Sequence, residues 1–343
     1  MRLIVRRIKN TSRRFRRYLY NGFIRNGKLD KTPRTIIIEP TNRCSLACSC
    51  CPNGTNEVVR LKGSMSRETF DTILSHIDVP IEQFFFHLHG EPFMCKDLDY
   101  FVSKATSLHI KSSIYSNGYC IDYSLLDRVI AHHRIDISFS LDITDSTFYE
   151  HLRCPGTYDK ALQSLKKINE VFLKNNKFFD IKILIDSRNA KELDKFTYQL
   201  FQDYSQIKKV VYSTLLVWPQ QIAIEGHDAS FLRHRHYCEQ SSSCLSVFWD
   251  GRVSMCSYDI NGDCVIGNLK ENSYSELFHS PSANLFRKRH FMGNLQELLL
   301  CKHCMLPRCN HYSLSIGRHA MDKMDIDTRA HFFDPIYRFV YEK

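Results

Sequence analysis

The chain has 343 residues, 43% hydrophobic and 24% charged, with 13 glycines and 10 prolines; those proportions exclude wholesale disorder and collagen-like or linker-dominated architectures. Its apolar runs are short, such as 35–38 and 215–218, and none approaches the ~20 residues of a membrane-spanning helix. The net charge of +10 belongs to residues 1–34, where twelve Lys/Arg face Asp30 alone; the rest is near neutral and shows no basic stripe, so a nucleic-acid partner is not expected.

In chain order the basic arm (1–33) comes first. Ile4, Ile8, Phe15, Leu19 and Phe23 recur near helical spacing among the arginines, which predicts a basic amphipathic helix. Three roles are open to it: packing on the body, peripheral contact with an anionic membrane or an acidic partner, or a cleaved organellar presequence. No uninterrupted apolar run follows the charges, so a secretory signal is not expected.

Over 34–218, strands and helices alternate. Short β-branched or aromatic runs at 35–39, 83–88, 111–115, 135–141, 180–185 and 208–216 predict six strands. Amphipathic segments near 66–77, 97–108, 123–133, 157–175 and 190–204 predict the helices between them, with Ser66 as an N-cap. Alternation of this kind makes a parallel sheet. An eight-unit barrel takes ~250 residues, so the α/β fold expected is an open, partial (βα)6 barrel with functional loops at the C-terminal strand ends. After Trp218-Pro219 the pattern changes to a connector (219–237), a hairpin turning at Asp250-Gly251, and a helix near 274–291. Residues 219–310 are thus expected to form a small cysteine-rich hairpin/helix domain, followed by a tail at 311–343.

The fourteen cysteines cluster at 44, 48, 50 and 51, at 238, 244, 256 and 264, and at 301, 304 and 309, while Cys95, Cys120 and Cys154 are isolated. Clustered thiols without an export signal point to metal ligation in a reducing cytoplasm. Cys44, Cys48 and Cys51 are spaced C-x3-C-x2-C on the loop after the first strand. Three thiolates can hold three irons of a [4Fe–4S] cluster and leave the fourth open. Zinc wants four ligands, and adjacent Cys50 and Cys51 do not easily reach one ion. Gly90-Glu91-Pro92 follows the second strand, where glycine admits a close backbone approach and the carboxylate can bind an ammonium. Ser116-Asn117-Gly118 follows the third strand and reads equally as a turn. Ser140 and Asp142 end the fourth, with Arg153 beyond. In the C-terminal part, Cys238 and Cys256 flank the hairpin and Cys301-x2-Cys304 forms a pair; together they make a four-thiolate site for zinc or a cluster.

Thr41-Asn42-Arg43-Cys44 with Cys48 and Cys51-Pro52-Asn53 resembles the radical S-adenosylmethionine (SAM) superfamily, over roughly 35–310. The resemblance implies a [4Fe–4S] cluster binding SAM, a methionine-amino site at Gly90 and Glu91, ribose contacts at Ser116 and Asn117, and a carboxylate contact at Arg153 near Ser140. Cys50 stands where the family usually has a bulkier apolar residue and is read as an apolar filler. Trp249-Asp250-Gly251-Arg252 through Cys256, Ile266-Gly267-Asn268-Leu269 and Cys301-x2-Cys304 are similar to SPASM or twitch auxiliary-cluster domains. The shorter cysteine set implies one auxiliary [4Fe–4S] cluster on Cys238, Cys256, Cys301 and Cys304, with Cys244 and Cys309 as competing ligands. The chemistry implied by the resemblance is reductive cleavage of SAM with an external flavodoxin- or ferredoxin-type donor, then hydrogen abstraction and dehydrogenation of a small polar or sugar-type substrate or a peptide. The rivals are a radical epimerase, with Cys95, Cys120 or Cys154 as hydrogen donor, and a non-catalytic zinc-stabilised binding protein.

Overall fold

The computed structural model describes residues 29, 31–214, 238, 240–292, 294–302, 304 and 313–341. Residues 1–28 of the arm, the 219–237 connector and Cys309 lie outside the described residues.

Six parallel strands, β1 (Thr35–Ile38), β2 (Gln83–Phe86), β3 (Lys111–Ser116), β4 (Ile135–Ser140), β5 (Phe179–Ile185) and β6 (Ile207–Thr214), run side by side in sequence order. Each lies within two residues of its expected position. One face of the sheet is sealed by the helices: Phe84 and Phe86 of β2 are fully buried, and the Phe70 ring lies 6.0 Å from Phe86 and 4.6 Å from Phe101. Phe139 of β4 meets Phe172 and Phe179 at 6.1 and 5.5 Å in the same way. Because side chains alternate along a strand, Phe85, Tyr115, Ser140 and Lys182 belong to the other face, the inside of the partial barrel. Helix Arg67–Ser75 begins where expected, with the Ser66 side chain accepting from the Thr69 amide. A further helix, Ser146–Leu152, stands after β4 and is capped by Asp145.

The C-terminal part is joined to this sheet. Strand β7 (Leu245–Val247) pairs in parallel with β1, followed by antiparallel β8 (Arg252–Ser254) and β9 (Val265–Asn268). Gly251 makes the hairpin turn at φ 93°, a conformation few other residues adopt. The helix expected near 274–291 is two helices, Tyr274–His279 and Pro281–Phe291. Pro281 has no amide to continue the first and suits the first position of the second. The segment from 313, expected as a tail, forms strand β10 (Ser313–Gly317) antiparallel on β6. It continues into helices Arg318–Asp322 and Ile326–Tyr341, and Phe333 packs 5.8 Å from Tyr212 of β6. One ten-stranded sheet, ordered β10-β6-β5-β4-β3-β2-β1-β7-β8-β9, results.

Candidate active site

Residues 41–54 leave β1 as a loop braced at both ends. The Thr41 hydroxyl donates to the Gly63 carbonyl at 2.7 Å, and the Asn42 amide bonds Leu61 and Gly63 at 2.8 Å each. Inside the loop, the Cys51 amide donates to the Cys48 carbonyl and the Gly54 amide to that of Cys51, at 3.0 and 2.8 Å. A Cβ on Gly54 would lie 2.4 Å from the Ala47 carbonyl carbon, so the turn needs glycine there. The 152–154 segment straps the loop from outside, its Cys154 and Leu152 carbonyls accepting from Ala47 and Ser49 at 2.7 and 3.0 Å. Asn53 ties the loop to the next strand end, donating to Asn42 and His89 carbonyls at 3.0 and 2.6 Å.

The loop's thiols lie close enough to sense one another. Burial pushes Cys44 up to about 11, and proton loss from Cys48 and Cys51 would add to the effect. Cys51 is raised for the same first reason, and burial pushes Cys50 up to about 12. Such groups ionise readily only when a metal or a donor compensates. Two donors face them: the Asn117 amide at 3.5 Å from the Cys44 sulfur, and the Arg153 guanidinium at 3.6 Å from that of Cys48. Cys50 packs against the apolar core.

At the end of β2, a Cβ on Gly90 would lie 2.3 Å from the Thr41 carbonyl oxygen, so glycine lets the two strand-end loops touch. The Glu91 carboxylate is 2% exposed. It accepts from the Ser116 hydroxyl at 2.8 Å, the Asn117 amide at 2.7 Å and the Phe93 amide at 3.1 Å. Burial raises its pKa against the pull of those donors. Glu91 therefore knits the ends of β2 and β3 together, and Gly90, Ser116 and Asn117 share one wall with the cysteine loop. Arg153 is buried. Its guanidinium holds the fully buried Asp142 carboxylate at 2.6 and 2.5 Å. Burial alone would lower its pKa, but Asp142 and the thiols of Cys48 and Cys50 hold it well above the ordinary value. Ser140 stands on the inner face, beside Lys182 of β5 in the register.

Sequence reading missed a buried triad beside this wall. Arg60 grips the Glu39 carboxylate with two nitrogens, at 2.9 and 2.7 Å, and His89 Nδ1 lies 3.2 Å from it. Burial works to raise the Glu39 pKa, but hydrogen bonds from His89 and Arg60 prevail and bring it down to about 2. The triad reaches into the C-terminal part: the Trp249 amide donates to Glu39, Arg60 donates to the Ile260 carbonyl at 2.7 Å, and His89 Nε2 lies 3.0 Å from that of Ser257. An acid at a strand end, a histidine before Gly-Glu-Pro and a lone arginine carry no joint spacing signal.

The second cysteine group surrounds an apolar recess, with Cys238, Cys256, Cys301 and Cys304 beside Met255, Phe286 and Leu300. Burial raises Cys256 well above the usual thiol range, reinforced by Cys238, Cys301 and Cys304. Cys244 instead donates its thiol to the Gln240 side-chain oxygen Oε1 at 3.3 Å. Two neighbours were not expected: Cys264, which senses Cys301, and His290, whose Nε2 lies 3.4 Å from the Cys301 sulfur. Among the described residues, no three His, Cys, Asp or Glu side chains close on a single ion. A lone zinc needs its sulfurs ~2.3 Å from one point, whereas a four-iron cube takes thiolates at its corners.

Comparison with known proteins bears on these sites. The family model of the radical SAM superfamily matches residues 38–197, and that of an iron–sulfur cluster-binding domain, SPASM, matches residues 238–305. The chain is 25% identical over 281 residues to the S-adenosyl-L-methionine-dependent 2-deoxy-scyllo-inosamine dehydrogenase of Niallia circulans, spanning 80% of this chain and 94% of that protein. Streptococcus suis SuiB bound to its precursor peptide SuiA superposes with a TM-score of 0.62 at 15% identity, over 85% of this chain and 80% of that one. The structure of anSMEcpe with bound AdoMet gives 0.57 at 18% identity, over 91% and 98%. At these identities the two structures speak for the fold. No helix among the described residues is long and apolar enough to cross a membrane.

Proposed function

We propose ligands, a substrate class and a reaction for a chain that belongs to the radical SAM superfamily and carries a SPASM-type iron–sulfur cluster-binding domain. It is an enzyme whose cofactors are a [4Fe–4S] cluster, SAM and auxiliary iron–sulfur binding, which sets aside the zinc-stabilised binding protein. Bound together, the cluster and SAM supply a 5′-deoxyadenosyl radical that takes a hydrogen atom from substrate.

The reading rests on one observation: three thiols on a single braced loop, met by donors from Asn117 and Arg153. Cys44, Cys48 and Cys51 would hold three irons and leave the fourth open to SAM. Gly90, Glu91, Ser116 and Asn117 would frame the methionine and ribose side, with Ser140 and Arg153 opposite. Because Glu91 already accepts three hydrogen bonds, it would shape this wall as much as bind the amino group. Arg153 favours the thiolate form of Cys48 by its charge. Cys238, Cys256, Cys301 and Cys304 would hold one auxiliary cluster, with Cys244 turned away toward Gln240.

The reaction we favour is dehydrogenation of a small polar or sugar-type substrate, supported by the named activity of the Niallia relative, which this chain spans almost end to end. A peptide substrate is the second reading, supported by the fold shared with peptide-bound SuiB. A flavodoxin- or ferredoxin-type protein would supply the electron that cleaves SAM, and the auxiliary cluster would accept the electron left on the substrate radical as its hydroxyl proton leaves. The clustering of the thiols suits a reducing cytoplasm. The test is anaerobic iron and sulfide analysis with SAM cleavage under dithionite. Replacing Cys44, Cys48 and Cys51 together by Ala should remove about four irons and abolish cleavage; unchanged iron sinks the ligand reading. Ketone formation from a panel of cyclitols and of amino, acidic and phosphorylated sugars, read by mass spectrometry, tests the substrate class, and inertness of the whole panel would overturn it.

A further inference from the structure

The inner face of the parallel sheet carries charges that the site above does not use. Toward the N-terminal ends of the strands they are paired. Asp136 of β4 meets Lys111 at 2.5 Å, and Asp180 of β5 meets Lys209 of β6 at 3.1 Å. Two residues further along β5 stands Lys182, beside Ser140 in the β4–β5 register. Its ammonium lies 5.9 Å from the centre of the Tyr115 ring. Among the described residues it makes no ion pair or side-chain hydrogen bond. The carboxylate that favours its charge is Asp142, which is already bound to Arg153.

His87, just past β2, lies on the same face. Its ring centre is 4.4 Å from that of Tyr115. Its Nδ1 is closed to solvent and has no hydrogen-bond partner among the described residues. Burial, with Lys182 nearby, pushes its pKa down to about 3, so the imidazole is neutral. Burial also lowers the Lys182 pKa, against the pull of Asp142. A half-buried cation and a buried polar nitrogen without partners are costly unless a ligand supplies them. Elsewhere on this face, among the described residues, Asp136 and Asp180 are each ion-paired with a lysine. Here one positive charge is left over, at the level of the strand ends where the cysteine loop, Asn117 and Arg153 converge.

We propose that Lys182, with Ser140 and His87 beside it, receives an acidic group of the substrate, a carboxylate or a phosphate, just inside the ring of strand ends. This rests on the reading of those strand ends as the reaction site, and it narrows the substrate to an anionic polar molecule. An amine at the same place would meet an unpaired ammonium. Within the polar, sugar-type class that the Niallia relative supports, an acidic or phosphorylated sugar fits this place better than an amine does, as does an acidic side chain of a peptide.

The experiment uses the full-length, anaerobically reconstituted protein saturated with SAM. Inorganic phosphate and succinate are titrated separately by calorimetry, so that the two arms separate a phosphate from a carboxylate. At least one should bind the wild-type protein. Lys182→Met should weaken that anion tenfold or more, Lys182→Arg should keep it within about threefold, and Ser140→Ala should cost a few-fold. Absence of binding by either anion, or equal binding by wild type and Lys182→Met, overturns the proposal. If Lys182→Met loses SAM affinity while anion binding stays intact, the ammonium serves the cofactor and the proposal is likewise wrong. Failure of the radical-SAM ligand reading would look different: iron and SAM cleavage would survive loss of Cys44, Cys48 and Cys51.

Discussion

Cys44, Cys48 and Cys51 fall within one loop of 14 residues, whereas Cys238, Cys256, Cys301 and Cys304 come from three separate segments around a shared recess. The first group is met by polar donors, Asn117 and Arg153. The second lies against Met255, Phe286 and Leu300. The loop is braced by backbone bonds to the 60–64 and 152–154 segments. The recess draws its thiols from three segments, so whatever binds them also joins those segments. A site of the first kind can give up its cluster and remain folded; one of the second kind loses fold with its cluster.

The sharpest way to break that comparison is to remove one cysteine from each site. Cys256→Ala should lose about four irons and lower the melting temperature strongly, while Cys44→Ala loses a similar amount of iron with little change in melting. Equal melting shifts would show that both sites are equally preformed.

The Glu39–Arg60–His89 triad links the two sites, so cutting it should affect both. Arg60→Leu strips the buried Glu39 carboxylate of its bidentate partner, at about 3–5 kcal/mol, and denaturant unfolding should move accordingly. Iron should fall at both sites together; loss confined to one would mean that the triad only packs.

The same carboxylate gives a pH signature. Glu39 is held at about 2 against an ordinary 4.5, so the folded state favours its ionised form. That contribution, about 3 kcal/mol, is present above pH ~4.5 and lost as pH falls toward 2. Glu39→Gln should therefore flatten acid unfolding measured by circular dichroism between those limits; a wild-type slope would place the acid sensitivity elsewhere.

Glu91→Gln should weaken SAM by a smaller amount, about 1.5–3 kcal/mol, because a charge-assisted acceptor for Ser116 and Asn117 is lost. Equilibrium dialysis with SAM checks this, and unchanged affinity would leave Glu91 as a brace alone. The smallest effect belongs to Cys244→Ala: with its sulfur on Gln240, iron content should not change and stability should fall by only about 1 kcal/mol. A loss of iron would return Cys244 to the ligand set.

Legibility in the chain divides along the same line. The six parallel strands and the cysteine loop are local signals: a β-branched run, or three cysteines and a glycine within one turn. Ser66 as a cap is equally local. Strand β10 was not legible, because Ser-Leu-Ser-Ile-Gly is short and its partner β6 lies far back in the chain. The pairing of β7 with β1, which puts both cysteine groups on one sheet, is a long-range choice that no hairpin signature carries. The Glu39 triad was invisible for the same reason. Arg153 was visible as a candidate, but its hold on Asp142 comes from a strand end and a distant loop meeting.

The pairing of β6 with β10 also has a consequence in time. The two strands are separated by about 100 residues, which a ribosome adds in roughly 5–20 s. For that interval β6, with Val210, Val211 and Tyr212 at its centre, is an unpaired edge of a growing sheet, the kind of segment on which other chains can add. Lys208 and Lys209 precede the apolar run on the same strand and act as charged gatekeepers during the wait. A nascent chain stalled before residue 313 keeps that edge open for as long as it lasts.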